Sequence, residues 1–219
     1  MKHVRLTMTA NGREAEIHPT YDLLANGACV ERSAELQWNW TGDTLGVLHY
    51  TVGEMSAFAA ALDDIDHIID YELEPAGSDA FYAYLYDEMT PASRKLYEPA
   101  TYGGIVVVPP IQYRENGDVV ASVFGPPERI QAGVEEVPPP VEVSIDSIGG
   151  LTGLAQASES YLSDRQQEAL SVGLELGYYG MPREASQEDV AEELGCAPST
   201  AAEHLQKAET KVVRSALET

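Results

Sequence analysis

Lysine is nearly missing from this chain of 219 residues. Only four occur, Lys2, Lys95, Lys207 and Lys211, and arginine brings the basic total to 13 against 36 acidic side chains, a net charge of −23. So few cations exclude a protein that holds polyanions through its global field, and any nucleic-acid contact must rest on a specific motif. Cysteine is scarce too: Cys29 and Cys196 cannot make a disulfide framework, and neither has a CxxC partner. No apolar run approaches the ~18 residues of a membrane span, and the N-terminus lacks a basic-then-apolar signal pattern. The sequence has no GxSxG, GxxxxGK[ST], HExxH or post-strand GxGxxG, and in so acidic a chain neighbouring carboxylates say little about acid–base catalysis. No catalytic residue, cofactor or metal is therefore expected. Apolar content is not lacking, and 44% hydrophobic residues can build a core. The expected class is a globular, cytoplasmic protein with no membrane segment, and its length suits one large domain or two smaller ones.

The carboxylate excess has two readings. One is adaptation to molar intracellular salt, where a hydrated acidic surface keeps the chain soluble and a Debye length of ~3 Å mutes self-repulsion. The other is an acidic binder of cationic partners or a nucleic-acid mimic. Mimics concentrate their charge, whereas here carboxylates occur in nearly every expected element, so the pattern favours salt adaptation.

Residues 163–219 read as helices. Ser163 before Asp164, with Gln166 three positions on, has the pattern of a capping box, and Ala169, Leu170, Leu174 and Leu176 follow at near-helical spacing. Gly177 stops that run, and Tyr178 to Pro182 is a connector. Ser186 with Asp189 opens a second helix, whose Val190, Ala191 and Leu194 face inward until Gly195 breaks it. Pro198 suits the first position of a third helix, with Ala201, Leu205, Ala208 and Val212 as one apolar stripe. Two helices joined by Gly195-Cys196-Ala197 and preceded by a support helix form a helix-turn-helix pattern.

The segments Leu162-Ser163-Asp164-Arg165-Gln166, Gly177-Tyr178-Tyr179, Pro182-Arg183, Ala191-Glu192-Glu193-Leu194-Gly195 and Pro198-Ser199-Thr200-Ala201-Ala202-Glu203-His204-Leu205 occur in this order. Together they closely resemble the helix-turn-helix of the bacterio-opsin activator family of halophilic archaea, over nearly all of residues 155–219. The resemblance implies a DNA-binding transcription regulator. A bare helix-turn-helix is a weaker pattern, shared with region 4 of sigma factors and with LuxR-type regulators.

Residues 1–150 read as α+β. Strands are expected at Val4–Met8, Leu36–Trp40, Leu45–Thr51, His67–Leu73, Ala80–Tyr86, Gly103–Val108, Val119–Phe124 and Val141–Ile145, and helices at Glu54–Leu62, Pro91–Pro99 and Pro127–Ala132. A weak repeat is visible. Gly42-Asp43, a strand, Gly53, a helix with Phe58 and a strand through Ile68 are echoed by Gly117-Asp118, a strand, Gly125, a helix with Ile130 and a strand through Val141. The expected fold class is thus α+β: a ferredoxin/ACT-like duplicated β-β-α-β module (1–150), a linker (151–162) and an all-α helix-turn-helix domain (163–219). Val106 to Ile111 followed by Asn116-Gly117-Asp118 also resembles the sensor-like domain that often precedes the bacterio-opsin-activator helix-turn-helix. No GAF or PAS domain is seen upstream.

With its apolar stripe turned inward, the third helix carries Ser199, Thr200, Glu203, His204, Gln206 and Lys207 on outward and flanking faces. Hydroxyls and amides there reach phosphates or base edges, and Glu203 suits a cytosine amine. Lys211 and Arg214 continue the helix as backbone contacts, and Arg165 and Arg183 stand at the first-helix start and in the connector. These ten residues are the candidate DNA contacts. Residues 163–219 hold five basic and eleven acidic side chains, a net of −6, so −17 lies in residues 1–162. The expected partner is double-stranded promoter DNA, bound as a homodimer, with the N-terminal domain dimerising or receiving a small-molecule effector. The rival reading is a ligand-binding or protein-interaction module whose helical tail recruits a protein.

Three other groups draw attention. Tyr82, Tyr84 and Tyr86 share one strand face, with Phe81 and Leu85 on the other, and Trp38 and Trp40 share a face. They suit either a ligand pocket or a packed sheet, and with no convergent charge beside them the packed sheet is favoured. Asp63, Asp64, Asp66, His67 and Asp70 read as a solvated acidic face. His3, His18 and His49 stand isolated and read as structural or surface residues.

Overall fold

Alternating apolar residues and turn glycines shape the N-terminal half into one sheet, in which every pairing is antiparallel. The computed structural model describes residues 1–101, 104–150 and 162–217. The chain divides into two compact units, Met1–Ala157 and Ser158–Thr219. Apart from Leu162, the expected linker lies outside the described residues.

In the first unit the strands are β1 (Lys2–Thr9), β2 (Val30–Thr41), β3 (Thr44–Gly53), β4 (Ile68–Pro75), β5 (Ala80–Glu88), β6 (Val106–Tyr113), β7 (Val119–Gly125) and β8 (Glu142–Gly149). The helices are α1 (Pro19–Asn26), α2 (Met55–Asp63), α3 (Pro91–Thr101) and α4 (Pro127–Glu135), with a 3₁₀ turn at Glu14–Glu16. The sheet order is β4-β5-β3-β2-β6-β7-β1-β8. Outward from the β2–β6 seam it runs β2-β3-β5-β4 on one side and β6-β7-β1-β8 on the other. In chain order each side holds a strand pair, a helix and a further strand, β2-β3-α2-β4 and β6-β7-α4-β8. In each, a strand from outside the unit, β5 or β1, separates the third strand from the pair.

Three elements differ from expectation. Helix α1 has no conventional cap: His18 serves, its Nδ1 accepting the Thr20 amide at 3.2 Å, a role that favours Ser, Thr, Asp or Asn. Strand β6 begins at Val106 and passes through Pro109-Pro110 to Tyr113. Its ladder to β7 shifts between Val108 and Gln112, so the prolines fall where no ladder bond to β7 is needed. In β2 the register with β3 shifts between Glu35 and Gln37, a bulge. Glu35 and Trp38, three residues apart, would face opposite sides of a regular strand. The bulge turns both to the helix-covered face.

That face holds the core. Ile17, Phe58, Leu62, Phe81 and Leu85 are fully buried there, and Phe58 and Phe81 lie 5.2 Å apart between ring centroids. Tyr82 and Tyr84 point the other way, at 40% and 42% exposure, and neither lines the cavity of this face. His3, His18 and His49 are all buried, the structural of the two readings, and the His18 ring meets His67 edge-on at 5.2 Å. Two buried glutamates contrast sharply. Glu14 accepts from the Ala10 amide at 3.1 Å through Oε1 and from Asn26 at 2.8 Å through Oε2. Glu35 accepts the hydroxyls of Tyr97 (3.2 Å) and Tyr113 (3.1 Å) on Oε2, and its Oε1 has no hydrogen-bond partner. An unpaired buried acceptor costs about 1–3 kcal/mol. Around this carboxyl a cavity of about 150 Å³ opens among α1, α3, α4 and the sheet.

The second unit contains α5 (Asp164–Glu175), α6 (Gln187–Glu193) and α7 (Pro198–Leu217). Ala169, Val190, Leu205 and Tyr178 form its core. No helix among the described residues is long and apolar enough to cross a membrane.

Candidate nucleic-acid interface

Local sequence sets each helix of the second unit. Ser163 and Gln166 close a capping box on α5, and Ser186 and Asp189 close another on α6, so each start has two amides satisfied by side chains. Gly177 (φ +77°) and Gly195 (φ +63°) supply the left-handed residues that end α5 and α6, a conformation that costs other residues about 1–2 kcal/mol. Pro198 opens α7 at its first position.

Helix α7 packs Ala201, Leu205 and Ala208 inward, with exposures of 0%, 1% and 0%. Val212, expected on the same stripe, is 46% exposed, and Val213 beside it 55%. At 20 residues, α7 is much longer than the 7-residue α6, so its last turns have less to pack against. Leu174 of α5, one of the apolar residues at near-helical spacing, is 67% exposed near the helix C-terminus.

At 100° per residue, Ser199, Glu203, Gln206 and Thr210 fall along one line of α7, and Thr200 and Lys207 flank it. All six are exposed. Thr210 was not among the sequence candidates; its place on this line is the signal for it, although its hydroxyl donates to the Gln206 carbonyl at 2.8 Å. Lys207 Nζ sits 2.8 Å from Glu203 Oε1, one turn apart, and this contact holds the Glu203 carboxyl below the usual carboxylate range. The pair holds a cation and an acceptor together on the exposed face.

The other candidates are dispersed. His204 is half-buried on the flank of α7. Arg165 is exposed at the start of α5 and contacts Glu168 at 2.8 Å. Arg183 lies over the Tyr178 ring, 4.1 Å from its centroid, a cation–π contact that orients the guanidinium in the connector. Tyr178 is itself fixed by burial and by Gln187, which donates to its hydroxyl at 3.2 Å. Lys211 is half-buried and donates to Gln166 Oε1 at 2.9 Å, the oxygen that also accepts the Ser163 amide at 3.1 Å. It therefore ties the third helix to the first. Arg214 lies in the helical backbone of α7, and its side chain is outside the described residues. Cys196, in the turn between α6 and α7, is a half-buried free thiol.

Residues 18–151 match the family HVO_0513_N, described as N-terminal, and residues 162–214 match the family described as HTH DNA binding domain. A curated protein of Haloferax volcanii, provisionally named a transcriptional regulator, is 38% identical over 69 residues. That stretch covers 32% of this chain and only 12% of the relative.

Proposed function

Because this chain belongs to the HVO_0513_N family through most of its length and carries a segment matching the HTH DNA binding domain family, we propose that it is a DNA-binding transcription regulator of a halophilic archaeon. In this reading α7 enters the major groove of promoter DNA from its Pro198 end. Ser199, Thr200, Glu203, Gln206 and Lys207 meet bases and phosphates, and Arg165, Arg183, His204, Lys211 and Arg214 meet the flanking backbone. The observation that carries it is the exposed polar line of α7, set opposite a closed face of Ala201, Leu205 and Ala208.

Placement within the bacterio-opsin-activator type rests on the ordered motifs from Leu162 to Leu205 and is supported by the Haloferax relative. We read the N-terminal unit as a duplicated, ferredoxin/ACT-like β-β-α-β module, supported by the matching strand orders on the two sides of the seam. It serves dimerisation or effector input, and the protein acts in the cytoplasm without a catalytic role. A two-fold operator then carries half-sites about one helical turn apart.

The acidic field repels DNA at long range, and molar salt screens that repulsion while weakening counterion release. Direct contacts and dimerisation therefore carry affinity. The test is an anisotropy titration of the full chain on promoter and scrambled duplexes over a series of potassium chloride concentrations. Sequence-preferring binding supports the reading, and its absence at every salt concentration overturns it.

A further inference from the structure

We propose that the cavity on the helix-covered face of the N-terminal sheet binds a small aromatic monocation, one ring bearing an amine or amidine, with Glu35 as its counter-ion. A regulatory role for this ligand rests on the regulator reading, in which effector input is one of two roles of this unit; binding itself does not.

Three observations converge on this ligand chemistry. The first is the carboxyl. Glu35 is 0% exposed, and Tyr97 and Tyr113 both donate to Oε2 while Oε1 is left without a partner. Buried polar groups in folded proteins are almost always paired, so a buried acceptor without a partner, on a residue that lines a cavity, marks a place for a donor brought from outside.

The second is charge. The titratable groups around the carboxyl are Tyr113 on β6, Tyr97 on α3, Asp87 on β5, His49 on β3, and His18 and Tyr21 at α1. None supplies a positive charge. Burial pushes the His49 pKa down to about 3. His18 Nδ1 accepts the Thr20 amide and Nε2 donates to the Glu88 carbonyl at 2.8 Å, the pattern of a neutral ring, and burial lowers its pKa. Its 3.7 Å approach to Asp87 is therefore not an ion pair. Asp87 itself is pushed up to about 6 by burial. Among these groups the site offers two acids and no cation, so the missing cation belongs to the ligand.

The third is shape and surface. The cavity of about 150 Å³ is walled by aliphatic side chains from both sides of the seam, such as Leu6, Val47 and Val123, and by aromatic rings. An apolar cavity of that volume accepts a benzene-sized guest. Trp38 and Tyr97 meet edge-on at 6.2 Å and are both half-buried, whereas Tyr113 behind them is buried. Aromatic walls beside a carboxylate attract an organic cation twice, through the ring faces and through the charge.

The test uses the full chain in molar potassium chloride with no DNA present, so its failure is distinct from a failure of DNA binding. Benzamidine and benzylamine are titrated by calorimetry and by tryptophan fluorescence, with benzyl alcohol as the neutral isostere. Both cations are expected to bind at least about tenfold more tightly than the alcohol. Glu35→Gln is expected to abolish that preference and leave the alcohol unchanged. Burial holds the Glu35 carboxyl up to about 7, so in the wild type cation affinity falls roughly tenfold per pH unit below 7, and benzamidine binding at pH 6.5 releases a proton. This proton release, read in buffers of different ionisation enthalpy, needs no variant and decides the matter should Glu35→Gln fail to fold. Equal binding of cation and alcohol, undiminished cation binding in Glu35→Gln, absence of proton release, or no binding of any probe overturns the proposal.

Discussion

Tyr113 donates its hydroxyl proton to Oε2 of Glu35 at 3.1 Å across the β2–β6 seam, joining residues 78 positions apart. The seam pairs Glu35 with Ile111 and Ser33 with Tyr113, so the phenol reaches the carboxyl diagonally along one face. The sheet thus carries a buried acid at its centre, and stability depends on that acid's proton.

Burial raises the Glu35 pKa from 4.5 to about 7. Between those values the fold keeps a proton that the unfolded chain has released, so this group's contribution is fully favourable below pH 4.5 and is lost as pH climbs through 7. The span corresponds to about 3 kcal/mol. His49 works in the opposite direction: its pKa, lowered from 6.5 to about 3, costs stability as pH falls between those values. The difference between wild type and Glu35→Gln isolates the first contribution. The variant is expected to gain about 3 kcal/mol on the wild type between pH 4.5 and pH 8. Denaturant titrations in molar potassium chloride check it, and parallel pH profiles contradict it.

On the DNA side, Lys207→Ala is expected to weaken binding to specific and scrambled duplexes alike and to reduce the salt slope by about one. Its pair with Glu203 is exposed on both sides, so stability is expected to stay nearly unchanged. Gln206→Ala is expected to lower the preference among duplexes at one base pair, by about 1–3 kcal/mol if its amide reads an adenine. Anisotropy titrations on single-position variants of the operator separate the two behaviours.

Removal of either cap tests the second unit alone. Ser163→Ala and Ser186→Ala each lose an acceptor for the third helical amide and are expected to cost about 1 kcal/mol. Helix melting at 222 nm measures it. A cost near zero for both means that water satisfies these amides equally well.

Gly177 and Gly195 share a left-handed backbone but not its surroundings. A Cβ at Gly195 meets nothing within 4 Å, so Gly195→Ala is expected to cost only the backbone strain of about 1–2 kcal/mol. At Gly177 the same Cβ falls 2.9 Å from the Glu184 Cβ, and Gly177→Ala is expected to cost more than Gly195→Ala. Equal losses in the same denaturant assay show that the Glu184 segment yields freely.

The second unit was legible because its signals are local. Ser163 with Gln166, Ser186 with Asp189, and Pro198 each fix a helix start within a few residues of chain. The strand runs of the first unit were legible through alternation, as Phe81 and Leu85 facing in and Tyr82 and Tyr84 facing out attest. What escaped was non-local or broke a rule. Helix α1 starts on a histidine, β6 runs through two prolines, and β1 sits between β7 and β8. Glu35 was hidden for two reasons. In a chain with 36 acidic residues one more glutamate carries no signal, and unbroken alternation assigns it to the face opposite Trp38. Only the bulge, and partners 62 and 78 residues away, reveal the charge that the aromatic residues were thought to lack.

The place of β1 also sets the order in which the N-terminal unit can be built. Its register against β8 pairs His3 with Gly149, and against β7 it pairs Lys2 with Gly125. On the ribosome β1 emerges first, yet each strand it joins is synthesised more than a hundred residues later. Until then its Val4 and Leu6 have no sheet to enter, and closing so long a loop is among the slow steps of folding. The half of the sheet made from β2 to β5 pairs only strands that lie between Val30 and Glu88 and can assemble while β1 waits.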